Sequence, residues 1–206
     1  MPPLPFDLVI AADPSKRCTG MVAIDPRTEA VLDHASVETD TRDDCWLARK
    51  RANIVAFIGK HGADDKRTLF VIEQFDTGSF HLLGRGYSNP TAISQILRAD
   101  GVVREAIEAS IVRRRIAHRG QSDWSVLVSV DPKSWRAAEG IKPVKGDDGK
   151  KRTVTPPEYK PVIEAHYRVR LGSPDEAAAL ACGMYALRRA RVDACNLFGD
   201  EGNDGR

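Results

Sequence analysis

The chain has 206 residues, of which 31 are lysine or arginine and 29 are aspartate or glutamate, and its formal net charge is +2. This length suits one ordinary domain with a sizeable core, and the small net charge excludes a strongly basic or acidic protein whose partners follow from charge alone. Four widely spaced cysteines without a CxxC pair argue against a zinc site or a disulfide framework. No apolar run approaches the roughly 20 residues that span a bilayer, so we expect a soluble cytoplasmic protein.

The first half of the chain predicts four strands and one helix. The apolar run 6–12 predicts a buried strand, and residues 21–24 and 30–37 predict two more, joined by short turns as antiparallel neighbours. Apolar residues then recur at near-helical spacing over 43–60, which predicts an amphipathic helix covering one face of a sheet. The β-branched run 68–72 predicts the next strand.

The second half is mainly helical. Helices are predicted over 91–117, 156–167 and 174–191, with a short one beginning at Pro132, and residues 126–130 predict a fifth, buried strand. The polar, basic and glycine-rich run between the short helix and residue 156 predicts a mobile loop.

This order of elements predicts an α/β fold, with a five-stranded mixed sheet flanked by helices on both faces. We expect a single domain over residues 1–195 and a disordered acidic tail over 196–206.

Acidic residues stand at three informative places. Asp13 and Glu73 each end an apolar strand, and Asp175 with Glu176 opens the last helix. Each has an ordinary explanation, since aspartate before proline favours turns and acids favour helix N-termini. Together, carboxylates at one edge of a sheet are the ligands that hard cations such as Mg²⁺ or Mn²⁺ prefer, and two cations roughly 4 Å apart can drive phosphodiester cleavage.

The motifs IAADPSKRCTGMVAID, FVIEQF and PDEAAALACGMYA resemble those of RuvC-type Holliday-junction resolvases of the ribonuclease H-like superfamily. Between them, VSVDPKSWRAAEGIKPVKGDDGKK resembles the fifth strand, short helix and basic loop of that family. The resemblance spans about residues 6–191, and the longer basic loop and acidic tail resemble a phage-type member. It implies a ribonuclease H-like fold.

The resemblance also implies an active site with two Mg²⁺ or Mn²⁺ ions. In that site Asp13 bridges both ions, Glu73 binds one and orients water, and Asp175 completes the shell of the other. The family ends with two acids three residues apart, whereas Ala178 follows Asp175 here. Three readings stay open: Glu176 takes the fourth place, three carboxylates suffice, or activity is weak.

Two groups of residues are candidates for DNA binding. Basic side chains in the predicted loop suit a bent phosphate backbone, although a solvated loop is the ordinary alternative: Lys142, Lys145, Lys150, Lys151 and Arg152. In the glycine-rich segment after Glu73, aromatic rings suit stacking on unpaired bases, with core packing as the alternative, and an arginine suits phosphate: Phe75, Phe80, Tyr87 and Arg85.

The predicted function is metal-dependent resolution of Holliday junctions, with other branched DNA as a further substrate class, by paired symmetric nicks. Matched nicks need two equivalent active sites, so we expect a homodimer. Two alternatives stay open: a ribonuclease H-like nuclease acting on RNA, and a junction-binding protein with weak or no cleavage. The expected location is the cytoplasm, that of the host if a phage carries the gene.

Overall fold

The structure, a computed structural model, describes residues 4–63, 65–74, 90–118, 125–145 and 149–199, with the main chain alone for 90–93 and 194–199. The strands are β1 Leu8–Asp13, β2 Cys18–Ile24, β3 Val31–Glu38, β4 Thr68–Glu73, β5 Val126–Val130, β6 Val144–Lys145 and β7 Lys151–Arg152. The helices are α1 Trp46–Lys60, α2 Pro90–Ala117, α3 Pro132–Ala138, α4 Pro156–Tyr167 and α5 Pro174–Gly199.

The central layer is a five-stranded sheet in the order β3-β2-β1-β4-β5. The first three strands along the chain pair antiparallel, and β4 and β5 run parallel to β1. Parallel neighbours need a crossover connection, and α1 and α2 lie in the two crossovers. The predicted mixed five-stranded sheet is confirmed, and β1, β4 and β5 end at the same edge.

Both faces of the sheet are covered, because successive side chains of a strand point to opposite faces. On one face, Val9 and Ala11 of β1 pack with α3, α4 and α5. On the other, Leu8 and Ile10 pack with α1 and α2. The apolar runs of β1 and β4 are therefore buried throughout, as expected for strands between two helical layers.

Small residues let α5 lie close to the sheet. Residues 177–179 and Ala181 are fully buried against β1 and β2. A methyl group at Gly183 would lie 2.8 Å from Cδ1 of Ile24 and 2.9 Å from Cβ of Ala11. The glycine is thus required by the close approach of helix and sheet, not by its main-chain angles.

Three local expectations differ from the structure. The strand predicted as buried over 126–130 is β5, an edge strand on which Val126 and Val128 are exposed. The predicted mobile loop contains a short antiparallel pair of strands, β6 and β7, and Gly149 has a positive φ shortly before β7. Helix α5 continues past the predicted end at Arg191 to include 196–199, while 200–206 lie outside the described residues. No helix in the described ranges is long and apolar enough to cross a bilayer.

Candidate active site

Two carboxylates meet at the edge of the sheet where β1 and β4 end. Ala12 of β1 pairs with Ile72 of β4, and each is followed by the last residue of its strand, Asp13 or Glu73. These two acids therefore lie side by side, and their carboxyl groups interact directly. Both residues are shielded from solvent: Glu73 is 9% exposed, and Asp13 is partly buried.

The third carboxylate comes from the first turn of α5. Asp13 pairs with Gly20 on β2, and a methyl group at Gly20 would overlap the main chain of Asp175 deeply. Since Gly20 has no side chain, the start of α5 rests directly on β2, next to Asp13. The charge of Asp175 reaches both other acids and opposes their ionisation.

The electrostatics of this cluster are those of crowded acids. Burial, followed by repulsion from Glu73 and Asp175, raises the pKa of Asp13 well above its usual value. Burial also raises the pKa of Glu73, although Arg136 works in the opposite direction. The pKa of Asp175 is raised mainly by burial. A bound cation would favour the ionised form of all three, so the donor set fits a hard divalent ion.

The cluster is not a closed coordination cage. Among the described residues, no three His, Cys, Asp or Glu side chains are already arranged to hold an ion. Cation binding at Asp13, Glu73 and Asp175 therefore has to draw the side chains together.

Glu176, the candidate fourth ligand, is engaged elsewhere. Its carboxylate accepts hydrogen bonds from Nδ1 of His34 at 2.7 Å, Oγ of Ser36 at 2.5 Å and the main-chain N–H of Gly172 at 2.7 Å. The residue is 2% exposed. Its oxygens tie α5 to β3, and the geometry favours Asp175 as the acid of this helix that faces the site. Ala178 is fully buried in the core.

Arg136 is a site residue that the sequence patterns did not single out. Its Nη2 atom lies 3.8 Å from Oε1 of Glu73. Its guanidinium carbon lies 5.1 Å from the ring centre of Trp135 and 5.8 Å from that of Tyr159, which holds it in place. The indole N–H of the buried Trp135 is near Glu73 but lacks hydrogen-bond geometry. The sequence signal that could have identified Arg136 was a basic residue in the short helix that follows β5.

Lys50 on α1 is a second such residue. It is fully buried, and its Nζ atom donates to the carbonyl oxygen of Ser15 at 3.1 Å and to Oγ1 of Thr19 at 2.8 Å. Its charge acts on Asp175. The signal was present in the sequence, because Lys50 interrupts the stripe of Trp46, Ile54 and Ile58 that faces the core.

The basic candidates for DNA binding lie in the segment between α3 and α4, which includes the β6–β7 hairpin. Together with Arg136, Lys142 lines an open cavity of about 930 Å³ between α3 and the start of α4. Lys145 and Lys151 pair across the β6–β7 hairpin. Arg152 is committed to Glu158 in α4, at 2.6 Å. Lys150 is exposed. The other candidates for DNA binding lie outside the described residues: Phe75, Phe80, Arg85 and Tyr87.

The arrangement of the sheet and helices is that of a ribonuclease H-like α/β fold. RuvC of Thermus thermophilus in complex with a Holliday junction substrate has a similar structure, with a TM-score of 0.60 and 12% sequence identity over 90% of this chain and 95% of that chain. A second structure of Thermus thermophilus RuvC matches with a TM-score of 0.59 and 13% identity, over 90% and 96% of the two chains. No family model matches the chain, and no curated protein matches it in sequence.

Proposed function

We propose that this protein is a metal-dependent, structure-selective endodeoxyribonuclease that resolves four-way DNA junctions by paired nicks. The observation that carries the proposal is the convergence of Asp13, Glu73 and Asp175 from β1, β4 and α5 at one edge of the sheet. Burial is the main cause that raises the pKa of all three remote acids, which is costly to the fold, and cation-assisted chemistry accounts for them.

The fold supports this choice among metal-dependent enzymes. Two similar solved structures are of RuvC, one of them in complex with a Holliday junction substrate. At 12–13% identity these similarities show the fold alone. The argument for activity therefore has to come from the site residues. The motifs around Asp13, Glu73 and Asp175 supply it, since they occupy the same edge of the sheet.

We assign roles to this chain's own groups. Asp13, Glu73 and Asp175 would hold Mg²⁺ or Mn²⁺, which when bound supplies an activated water and neutralises charge on the phosphate. Arg136, held over Trp135, can pass from Glu73 to a phosphate oxygen when the carboxylate binds a cation. Glu176 fixes the first turn of α5 against β3 and thereby positions Asp175.

The DNA path follows from the basic surface. Arg136, which lies 3.8 Å from Glu73, lines the same cavity as Lys142, and the hairpin that follows carries Lys145 and Lys151. Neutralising phosphates with such side chains releases counterions and supplies affinity for any DNA. We assign the selection of junctions over linear DNA to the aromatic residues of 75–89. We assign the matched nicking of two strands to a two-fold dimer.

A synthetic four-way junction with labelled strands tests the proposal directly. Wild-type protein should nick two strands of like polarity with Mn²⁺ or Mg²⁺ and leave a linear duplex of the same sequence intact. Asp13→Asn and Glu73→Gln should abolish nicking while keeping junction binding, because repulsion between carboxylate and phosphate falls. Either variant cutting at the wild-type rate would show that the site is misassigned.

The same assay separates the alternative functions. Tight binding with intact strands identifies a junction-binding protein, and faster cleavage of RNA than of the junction identifies a ribonuclease. Neutralising Lys150 and Lys151 together should weaken binding and flatten its salt dependence. Unchanged affinity in that double variant would remove the hairpin from the DNA path.

A further inference from the structure

A buried lysine lies on the Asp175 side of the acidic cluster. Lys50 is fully buried on α1, and its Nζ atom donates to Ser15 in the turn after β1 and to Thr19 in β2. A lysine is almost never fully buried unless it is paired. The two hydrogen bonds go to neutral oxygens, of Ser15 and Thr19, so they leave its charge uncompensated.

The compensating charge comes from the cluster. Thr19 is followed by Gly20, which contacts the main chain of Asp175, and Lys50 attracts the carboxylate of Asp175 electrostatically. Burial lowers the pKa of Lys50 to about 8, so the ammonium ion is charged at neutral pH. The adjacent Cys18 thiol has its pKa raised to about 11, mainly by burial, and adds no charge there.

A second fixed cation stands on the opposite side. Arg136 lies 3.8 Å from Glu73 and is held over the rings of Trp135 and Tyr159. Three carboxylates with two fixed cations leave one net negative charge when all are ionised. Glu176 is not counted, because its carboxylate is stabilised by hydrogen-bond donors of its own, from β3 and Gly172. Such a centre compensates the charge of one divalent ion far better than that of two.

We propose that Lys50 is a positioning residue that supplies the fixed positive charge on the Asp175 side, and that each site accordingly holds one divalent cation. This inference rests on the proposed nuclease function and replaces the two-ion expectation. It also gives a reason for Ala178. With the charge of Lys50 acting on Asp175, the site takes no second ion, and a fourth carboxylate at position 178 is not needed.

Mn²⁺ binding to the DNA-free protein at pH 7, followed by calorimetry and by the room-temperature EPR signal of unbound Mn²⁺, tests the inference. Wild type should bind one ion per chain. Lys50→Gln keeps a hydrogen-bond donor without charge, and Lys50→Met removes both. If the charge matters, both variants should bind Mn²⁺ at least about tenfold more tightly or take a second ion, and both should nick more slowly at saturating Mn²⁺.

Lys60→Gln is the matched control, since Lys60 is on the same helix and pairs with Asp33 on the exposed surface at 2.7 Å. It should leave Mn²⁺ binding unchanged, and thermal unfolding in chelator should show that every variant folds. Two ions in wild type, unchanged affinity in both Lys50 variants, or an effect in Lys50→Met alone would each overturn the inference. Absence of Mn²⁺ binding by wild type would overturn the proposed function with it, whereas the other outcomes leave that function standing.

Discussion

Replacing Gly20 with alanine tests whether close contact between β2 and α5 positions Asp175. The new methyl group would overlap the main-chain carbon and oxygen of Asp175 and the nitrogen of Glu176. An ordinary carbon–carbon contact is about 3.5 Å, so strand and helix have to separate by more than about 1 Å. Main-chain atoms at the start of a helix cannot rotate away, and the first turn of α5 must move.

The expected result is a large loss of activity with a moderate loss of stability. Misplacing a reacting group by about 1 Å costs on the order of 100-fold in rate, and overpacking costs about 1–3 kcal/mol of unfolding free energy. Gly20→Ala should therefore nick a four-way junction with Mn²⁺ about 100-fold more slowly in single-turnover conditions. Its junction affinity should stay within about threefold of wild type, since no basic residue moves.

Gly183→Ala is the control, because it crowds the same helix against the same sheet two turns further on. Its methyl group meets side-chain atoms of Ile24 and Ala11 at 2.8 and 2.9 Å, so urea unfolding should report a similar loss of about 1–3 kcal/mol. The folded protein should nick within about threefold of wild type. A Gly20→Ala protein that is folded and cuts normally would refute the positioning argument, and equal losses of rate in the two variants would assign the effect to general destabilisation.

Two further predictions concern the charges at the sheet edge. In the metal-free protein, kept so by chelator, Asp13 has a raised pKa in the folded state, so its contribution to stability is complete below pH about 4 and is lost as pH rises through the folded pKa. The gain in unfolding free energy caused by Asp13→Asn, measured by urea unfolding, should therefore grow between pH 4 and 7. A gain that stays constant over this range would contradict the crowding of the acids. Arg136→Gln removes a cation that favours the ionised form of Glu73, so nicking should need a higher pH. Junction affinity should also fall, with a smaller dependence on salt. An unshifted pH profile of nicking would show that Arg136 does not influence the ionisation of Glu73.

The sequence predicted the central strands β1, β2 and β4 because they are buried on both faces. Apolar runs such as that of β1 leave little choice of structure. Edge position is different, since it depends on what packs outside the strand. Residues 126–130 therefore read as buried although Val126 and Val128 are exposed.

The site was predictable as far as acids at strand ends go. Asp13 and Glu73 are fixed by strand position and register, which sequence patterns carry. The direction of Glu176 was not predictable, because it depends on His34 and Ser36 of β3, residues that pair with β2 and reach α5 only in the folded protein. Arg136 and Lys50 were missed for the same reason: their partners are remote in sequence.

Adjacent acids at the start of α5 give the sharpest contrast between site and scaffold. Consecutive helical residues point about 100° apart, so Asp175 and Glu176 serve different surroundings. Glu176→Gln puts an amide where His34, Ser36 and Gly172 all present donors, and one oxygen cannot replace two. The loss of a charged buried acceptor should cost about 2–3 kcal/mol of unfolding free energy.

Asp175→Asn should do the reverse. Its carboxylate has a pKa raised by burial and by Glu176, so removing the charge should leave the metal-free protein at least as stable as wild type, while Mn²⁺ binding and junction nicking fall together. Folded Glu176→Gln should retain Mn²⁺ binding within about threefold, as expected for a group that acts through main-chain position. Urea unfolding and Mn²⁺ titration of both variants test this assignment. If Glu176→Gln loses Mn²⁺ binding while Asp175→Asn keeps it, Glu176 rather than Asp175 is the acid of α5 that binds the ion.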